Sequence, residues 1–276
     1  MIRCSGFRRL TAIAALTSTV ISGCDNTTAT PPTKQSERWP AVLSESTFVW
    51  SAEPGIDLLA QPIVTLRAYF ESLVLGETSG SNDYLYPGFD HAVEREKPAE
   101  YSHYSLHLWP ELGFPKESPE VGSSRLHVLR VADDGQGVTT VMCTWDWGIA
   151  TQSAEASYQA LGSWRGPQTG VGVQRVRLTT SVGSPPPTTR PQSGPSRYPS
   201  LDVFDNWRVV GRLSNSAPSD TVGPGTQWPE YQQDLAACVT LAPEPVERRQ
   251  FLTTGEHPRS DFPTLPSYPG WPLESQ

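Results

Sequence analysis

The hydrophobic and polar positions of the chain predict one clear helix followed by several strands. Behind Pro62, apolar residues recur at helical spacing, at Ile63, Leu66, Tyr69, Phe70, Leu73 and Val74. Proline is tolerated in a first helical turn, and glycine is a frequent helix stop. The spacing therefore predicts a helix over residues 61–76 that ends at Gly76.

Alternating patterns predict the strands. Residues 101–109 alternate between apolar and polar positions, and two apolar runs around the Asp-Gly turn at 133–137 predict a hairpin over 125–150. Residues 171–181 and 205–214 are further strand candidates, and 39–60 contains a short strand or an extended lead-in. Residues 228–241 have the spacing of a short helix.

One helix followed by four to five curved antiparallel strands indicates an α+β fold with the N-terminal helix packed on the sheet. The order resembles the NTF2-like (cystatin-like) cone fold. The resemblance depends on the helix at 62–76, the Tyr-Pro-Gly-Phe loop at 86–89, the hairpin, and the strand "NWRVVG" at 206–211. A proline-rich insertion before that last strand departs from a minimal cone.

The composition divides the chain into segments. We expect the α+β domain at 39–241, with an exposed proline-rich insertion at 184–199 that cannot pair in a sheet. Residues 24–38 are polar and predict a flexible tether. Residues 242–276 are rich in proline and lack periodicity, which predicts a largely disordered tail.

The N-terminus has the layout of a secretory signal, with three arginines before an uncharged apolar run at 10–21. That run is shorter than the roughly 20 residues that span a bilayer. The junction Val-Ile-Ser-Gly-Cys at 20–24 resembles the lipobox of bacterial lipoproteins. The resemblance implies a signal peptide at 1–23, a lipid on the Cys24 thiol and an outward-facing location on the cell membrane. The alternative is ordinary signal cleavage beside an incidental cysteine, and Arg8-Arg9 leaves the export route open.

The charge of the chain restricts its partners. The formal net charge is −8, and no block of basic residues offsets it, so we expect no nucleic-acid binding. Most of the basic residues are arginine, and the chain resembles the cell-envelope lipoproteins of actinobacteria. The expected partners are the membrane, through the anchor, and an envelope protein, a glycan or an apolar ligand.

Two cysteines remain after Cys4 and Cys24 are assigned to the signal and the anchor. Cys143 and Cys238 form a pair in a chain that we expect to face an oxidising compartment, which favours a disulfide. Two separate buried thiols are the alternative. In the second arm of the hairpin, alternation places Cys143 on the face that carries Val141, Trp145 and Trp147, and we expect that face to be buried.

The chemical motifs are few. His103 and His107 would lie about 13 Å apart on a strand, too far to share a metal ion. Nucleophile elbows, phosphate loops and dinucleotide loops are absent from the sequence. We therefore predict no catalytic residues, no metal and no cofactor.

The NTF2-like resemblance adds one group to test. Enzymes of that fold commonly use Asp and His in the mouth of the cone, where Asp90, His91, His127 and Asp146 are candidates. Alternation in the hairpin instead favours Asp146 as a solvated strand residue, opposite Cys143. The nine tryptophans could line a sugar or lipid site, although a core built from rings is favoured. These residues favour a binding or accessory module of the envelope, with a hydrolase or isomerase as the alternative.

Overall fold

The computed structural model describes residues 38–95, 108–160, 166–180, 192–214 and 228–273. Within these ranges, the α-helices are α1 (Ile63–Ser79), α2 (Phe89–Ala92), α3 (Tyr231–Thr240) and α4 (Val246–Leu252). The strands are β1 (Glu45–Ala52), β2 (Glu120–Asp133), β3 (Val138–Trp145), β4 (Ile149–Ala154), β5 (Ser157–Ala160), β6 (Val171–Thr180) and β7 (Trp207–Ser214). Most of the predicted strand at 101–109, with His103 and His107, lies outside the described residues.

The named strands form one strongly curled sheet with the shape of a half-barrel. β1 pairs with β2 in parallel, and the other pairings between these strands are antiparallel. β3 and β4 both run along β2, separated by the 3₁₀ turn Asp146–Gly148. The α+β class and the curled sheet are confirmed, but four to five strands is too low a number. The lead-in forms the full strand β1, and the turn divides the second arm of the hairpin into β3 and β4.

α1 is the most buried helix, and it runs past its predicted end. It begins behind Pro62, as predicted, but continues through Gly76 to Ser79. Gly80, with φ of +67°, supplies the left-handed residue that ends it. Gly76 is needed inside the helix for a different reason: a Cβ there would lie 2.9 Å from Cγ of Pro110. The glycine therefore allows a close approach of the chain rather than a helix stop.

Both faces of the sheet are covered. On the face that we call inner, α1 packs on Leu126, Val128 and Met142. On the opposite, outer face, Leu235 of α3 packs in one cluster with Cys143 and the strand residues beside it. Two separate cores therefore share one sheet.

The predicted disulfide is confirmed and lies in the outer core. The Cys143 and Cys238 sulfurs are 2.03 Å apart, and both residues are fully buried. Cys143 lies on β3 and Cys238 on α3, so the bond ties the late helix to the middle of the sheet.

The C-terminal segment differs most from its prediction. Residues 242–273 are ordered against the domain, with α4 and a 3₁₀ turn, instead of forming a disordered tail. Tyr268 extends the edge of β1, since the Trp50 N–H donates to its carbonyl at 2.8 Å. Phe262 and Trp271 are buried in the outer and inner cores, respectively. Proline removes the periodicity that sequence reasoning relies on, but it does not prevent an extended segment from burying single rings.

The insertion at 184–199 shows the same behaviour in its second half. Residues 184–191 lie outside the described ranges, whereas Ser196 and Tyr198 are buried. Ser196 forms an antiparallel bridge with Trp271, which donates its N–H to the Ser196 carbonyl at 2.8 Å. The expected exposure is therefore wrong for this half, because the C-terminal segment covers it.

Candidate functional site

A cavity of about 280 Å³ lies between α1 and the inner face of the sheet, and we call it the inner cavity. Apolar side chains from α1 and several strands form much of its wall: Leu43, Phe48, Phe70, Leu73, Val74, Ile149 and Val171. Five charged side chains also line it: Glu77, Lys116, Glu120, Asp146 and Arg212. An apolar enclosure with a few polar groups is the usual form of a small-molecule site.

Asp146 reaches the inner cavity because β3 ends beside it. Trp145 and Trp147 are buried in the outer core, so the residue between them faces the opposite side of the sheet. The Asp146 N–H donates to the carbonyl of Gly170 at 3.0 Å, which holds the 3₁₀ turn against the start of β6. Strand alternation therefore gave the correct face, opposite Cys143. The prediction of a solvated strand residue is wrong, because α1 covers that face.

Asp146 is the charged residue of the cavity that lacks a partner among the described residues. No hydrogen bond or ion pair of its carboxyl joins it to the rest of the described chain. Burial raises the pKa of Asp146 to about 6, and no neighbouring cation or donor counteracts that effect. The carboxyl therefore changes charge close to neutral pH, inside a partly apolar enclosure.

The two cations of the cavity are already engaged. Lys116 Nζ lies 3.0 Å from a carboxylate oxygen of Glu120, whose side chain is buried. Arg212 donates from Nε to Oε1 of Gln174 at 2.7 Å. Neither cation is paired with Asp146, so the charge without a counter-ion in the cavity is the negative charge of that carboxylate.

Glu77 is a second acid whose pKa is raised by burial, in this case with Arg212 acting in the opposite direction. Its position had a signal in the sequence. It continues the stripe of Phe70, Leu73 and Val74 by one further helical step, so an acid occupies a place where the pattern calls for an apolar residue. No comparable pattern in the sequence marks Glu120, Lys116 or Arg212, because the cavity is built from segments that are distant in the sequence.

The structure does not assemble the acid and imidazole group that the NTF2-like resemblance suggested. Asp90 is exposed, and His91 pairs with Asp202 at 2.6 Å where both side chains are more than 40% exposed. His127 lies on the outer face, stacked on Trp145. Of the four candidates, only Asp146 lines the inner cavity, and no histidine is among the described lining residues.

His127 is held by two polar neighbours. Its Nδ1 lies 2.9 Å from Oγ of Ser51, and its Nε2 lies 3.1 Å from Oε1 of Glu53. These are the residue types of a nucleophilic triad. Ser51 and Glu53 do not line the inner cavity, however, and the contacts explain how a buried imidazole is satisfied at the edge of β1.

A second carboxyl lies close by in the inner core and is fully engaged. Glu71 of α1 is 3% exposed and accepts hydrogen bonds from the indole N–H groups of Trp50 and Trp271, both at 2.7 Å. Tyr86 Oη donates to the same carboxyl at 2.6 Å. Burial raises the pKa of Glu71, and these donors and the nearby Arg67 counteract that shift only in part. We call Glu71 with these three donors the Glu71 network, in which both carboxyl oxygens already accept hydrogen bonds from the chain.

Arg67 ties the Glu71 network to the C-terminal segment. Its guanidinium lies 4.3 Å from the ring of Trp271 and donates to the carbonyl of Gly270 at 2.7 Å. A further nitrogen of the same group donates to the carbonyls of Leu58 and Gln192. The buried charge is therefore held by backbone oxygens, and this cluster has a structural role.

The tryptophans build the cores rather than a binding wall. Six of the eight described tryptophans are at most 7% exposed: Trp39, Trp50, Trp145, Trp147, Trp228 and Trp271. None of the eight described tryptophans lines the inner cavity, and Trp164 lies outside the described ranges. The preference for a ring-built core is confirmed for the described part of the chain.

Three further features bear on the site. In the part of the chain that the structure describes, no three His, Cys, Asp or Glu side chains are arranged to hold a metal ion. Within the same ranges, no helix has the length and apolar character needed to cross a bilayer. Cys24, with the segments 1–23 and 24–37, lies outside the described residues.

Comparison of the chain with protein-family models, curated protein sequences and solved structures found no match.

Proposed function

We propose that this chain is a lipid-anchored, outward-facing protein of a bacterial cell membrane, and that its domain binds a small molecule in the inner cavity. The lipobox-like junction at 20–24 supports the anchor, and the polar segment 24–38 would serve as the tether. Two acyl chains on Cys24 would hold the protein on a membrane durably. The disulfide in the outer core fits an oxidising compartment.

The proposed lipid anchor and membrane location have a direct test. We compare the intact mass and the membrane fractionation of the wild type with those of Cys24→Ala. The wild type should gain the mass of a lipid and sediment with membranes, while the variant should do neither. Identical behaviour of the two forms would contradict the anchor.

The proposed binding role depends on one observation: a partly apolar cavity retains a carboxyl, that of Asp146, without a partner among the described residues. A desolvated polar group without a partner destabilises the fold and therefore needs an explanation, and a ligand that pairs with it would supply one.

An NTF2-like cone is the finer fold assignment that we propose, since that fold also places its pocket between a helix and a curled sheet.

Filling the cavity tests the binding role. The uncharged fluorescent dye N-phenyl-1-naphthylamine should bind the wild type at one site and lose most of that binding in Val74→Trp, because the larger ring occupies the space beside α1. Leu201→Trp is the matched control, since Leu201 is 69% exposed and lies outside the cavity. Equal dye binding by the wild type and Val74→Trp would argue against the inner cavity as the site.

An envelope hydrolase or isomerase that uses the same cavity is the second candidate. The specific support is the raised pKa of Asp146, since a general base works best with a pKa near the working pH. The described lining offers no imidazole to act with it, which favours binding over catalysis. Hydrolysis of p-nitrophenyl acetate that exceeds the buffer rate in the wild type and is lost in Asp146→Asn would favour the enzyme.

A further inference from the structure

We infer that the ligand of the inner cavity is a small organic cation, an apolar body that carries a protonated amine, and that its ammonium group pairs with the carboxylate of Asp146. This inference rests on the proposed binding function and names the chemistry of the molecule bound. A cavity of about 280 Å³ lies just below the usual range for ligand sites, which limits the ligand to a small molecule.

The charges around the cavity disfavour an anionic ligand. Such a ligand would need a cation whose charge is not already balanced. Lys116 is paired with Glu120, and Arg212 donates from Nε to Gln174 and interacts electrostatically with Glu77. An anion would also meet the three carboxyls of the lining. Breaking the pair between Lys116 and Glu120 to receive the anion would leave the buried Glu120 carboxylate without its cation.

A cationic ligand, in contrast, would pair with a carboxyl that has no partner among the described residues, that of Asp146. Asp146 is desolvated by the fold whether or not a ligand is present, so pairing with an ammonium recovers interactions without breaking any within the described chain. The apolar wall, which includes Phe48 and Phe70, then accepts the body of the ligand. A neutral donor would satisfy Asp146 only in part, because it does not compensate the charge.

The same pairing links binding to pH. A proton and an ammonium compete for one carboxylate, so the affinity should fall as the pH drops below the pKa of Asp146. The other charged groups of the lining enter the same balance. Glu77 on α1 and Glu120 on β2 add negative charge, and Lys116 before β2 and Arg212 on β7 add positive charge.

Three probes with one apolar body test the inference: phenylbutylamine, phenylbutanol and phenylbutyrate, titrated by calorimetry into the full chain near neutral pH. The amine should bind about ten- to hundredfold more tightly than the alcohol, as expected for a buried charged hydrogen bond, and the acid should bind most weakly. In Asp146→Asn the amine and the alcohol should bind alike. Lowering the pH to about 5 should weaken amine binding to the wild type about tenfold and leave the alcohol unchanged.

Control variants assign the effect to one carboxyl. Asp90→Asn makes the same chemical change on the surface and should leave the amine preference intact, which excludes an effect of net charge. An amine preference that survives Asp146→Asn and disappears in Glu77→Gln would overturn the assignment to Asp146. Retained dye binding and a normal unfolding transition for Asp146→Asn would show that the variant is folded.

The outcomes separate this inference from the proposed function. If the alcohol and the acid displace the dye from the wild type and the amine has no advantage, the ligand chemistry is wrong and the binding role stands. If none of the three probes binds, and Val74→Trp binds the dye as the wild type does, both proposals fail.

Discussion

Two carboxyls in the inner half of the molecule, the buried Glu71 and the half-buried Asp146, differ in the partners that the described chain gives them. Glu71 receives two indole N–H groups and a tyrosine hydroxyl, and Arg67 lies one helical turn away. Asp146 receives no such group from the described residues, and burial alone sets the direction of its pKa. The first carboxyl stabilises the fold, and the second is the group that we propose a ligand completes.

The difference shows that burial of an acid does not by itself indicate function. The partners of an acid decide whether its desolvation is offset within the fold. On this criterion, the most buried acid of the inner core is structural, and a half-buried one beside a cavity is the candidate site. The comparison makes four predictions, from the largest expected effect to the smallest.

Removing one donor from the Glu71 network should have the largest effect. Trp271→Ala deletes a buried ring and an N–H donor together, and should lower the free energy of unfolding by about 3–5 kcal/mol. Urea denaturation of the disulfide-intact chain measures it. Tyr268→Ala changes a mostly exposed ring three residues earlier and should cost less than about 1 kcal/mol. Equal losses would mean that the segment is held by its backbone alone.

Neutralising Asp146 should instead stabilise the protein, and only above acidic pH. An acid with a raised pKa binds its proton more tightly when folded, so wild-type stability falls as the pH rises from the usual value of 3.8 to about 6. The loss is up to about 3 kcal/mol, since each unit corresponds to roughly 1.4 kcal/mol, less whatever water in the cavity screens. Asp146→Asn lacks this loss.

The variant should therefore match the wild type near pH 4 and exceed it above about pH 6.5, as measured by urea denaturation at several pH values. A variant that is less stable than the wild type at neutral pH would show that Asp146 has a partner that stabilises its charge, and would contradict the comparison.

The same conservative change at Glu71 should instead lower the free energy of unfolding, although burial raises the pKa of Glu71 as well. Glu71→Gln replaces one acceptor oxygen with an NH₂ group that faces an N–H or O–H donor, and leaves at least one donor unpaired. We expect the cost of that unpaired donor to exceed the gain from removing a desolvated charge, with a net loss of about 1–3 kcal/mol. Thermal and urea unfolding of the two amide variants side by side would test the sign directly. Stabilisation by both would remove the distinction between the two carboxyls.

The smallest effect should come from a carboxylate that is paired but exposed. His91 and Asp202 lie 2.6 Å apart with both side chains largely in solvent. His91→Gln should change the free energy of unfolding by less than about 1 kcal/mol. A larger loss would indicate that proximity outweighs burial in this protein, contrary to the ranking above.

The spacing of apolar residues within single segments correctly predicted the elements that form within those segments. The stripe of α1, the hairpin of β2 and β3 and the buried face of Cys143 follow from spacing along one segment. The disulfide followed from counting cysteines in a chain that was expected to be exported. The number of strands did not follow, because the turn Asp146–Gly148 divides an alternating run without interrupting its pattern.

The candidate site was less accessible to sequence reasoning. Alternation placed Asp146 on the face opposite Cys143, but nothing local indicates that α1, some 70 residues earlier, covers that face. No pattern in the sequence indicated the Glu71 network either. Its acid and one of its donors, Trp271, are 200 residues apart, and the proline-rich segment that carries the donor has no period to detect.

The burial of Trp271 also affects when the inner core of this domain can be completed. Trp271 lies 200 residues after Glu71 in the sequence, so the segments made before it lack a donor to Glu71 and the strand-like cover of β1. We therefore expect the inner core to be completed only after residue 271 has been made. A truncation just before that residue would remove contacts at the centre of the molecule.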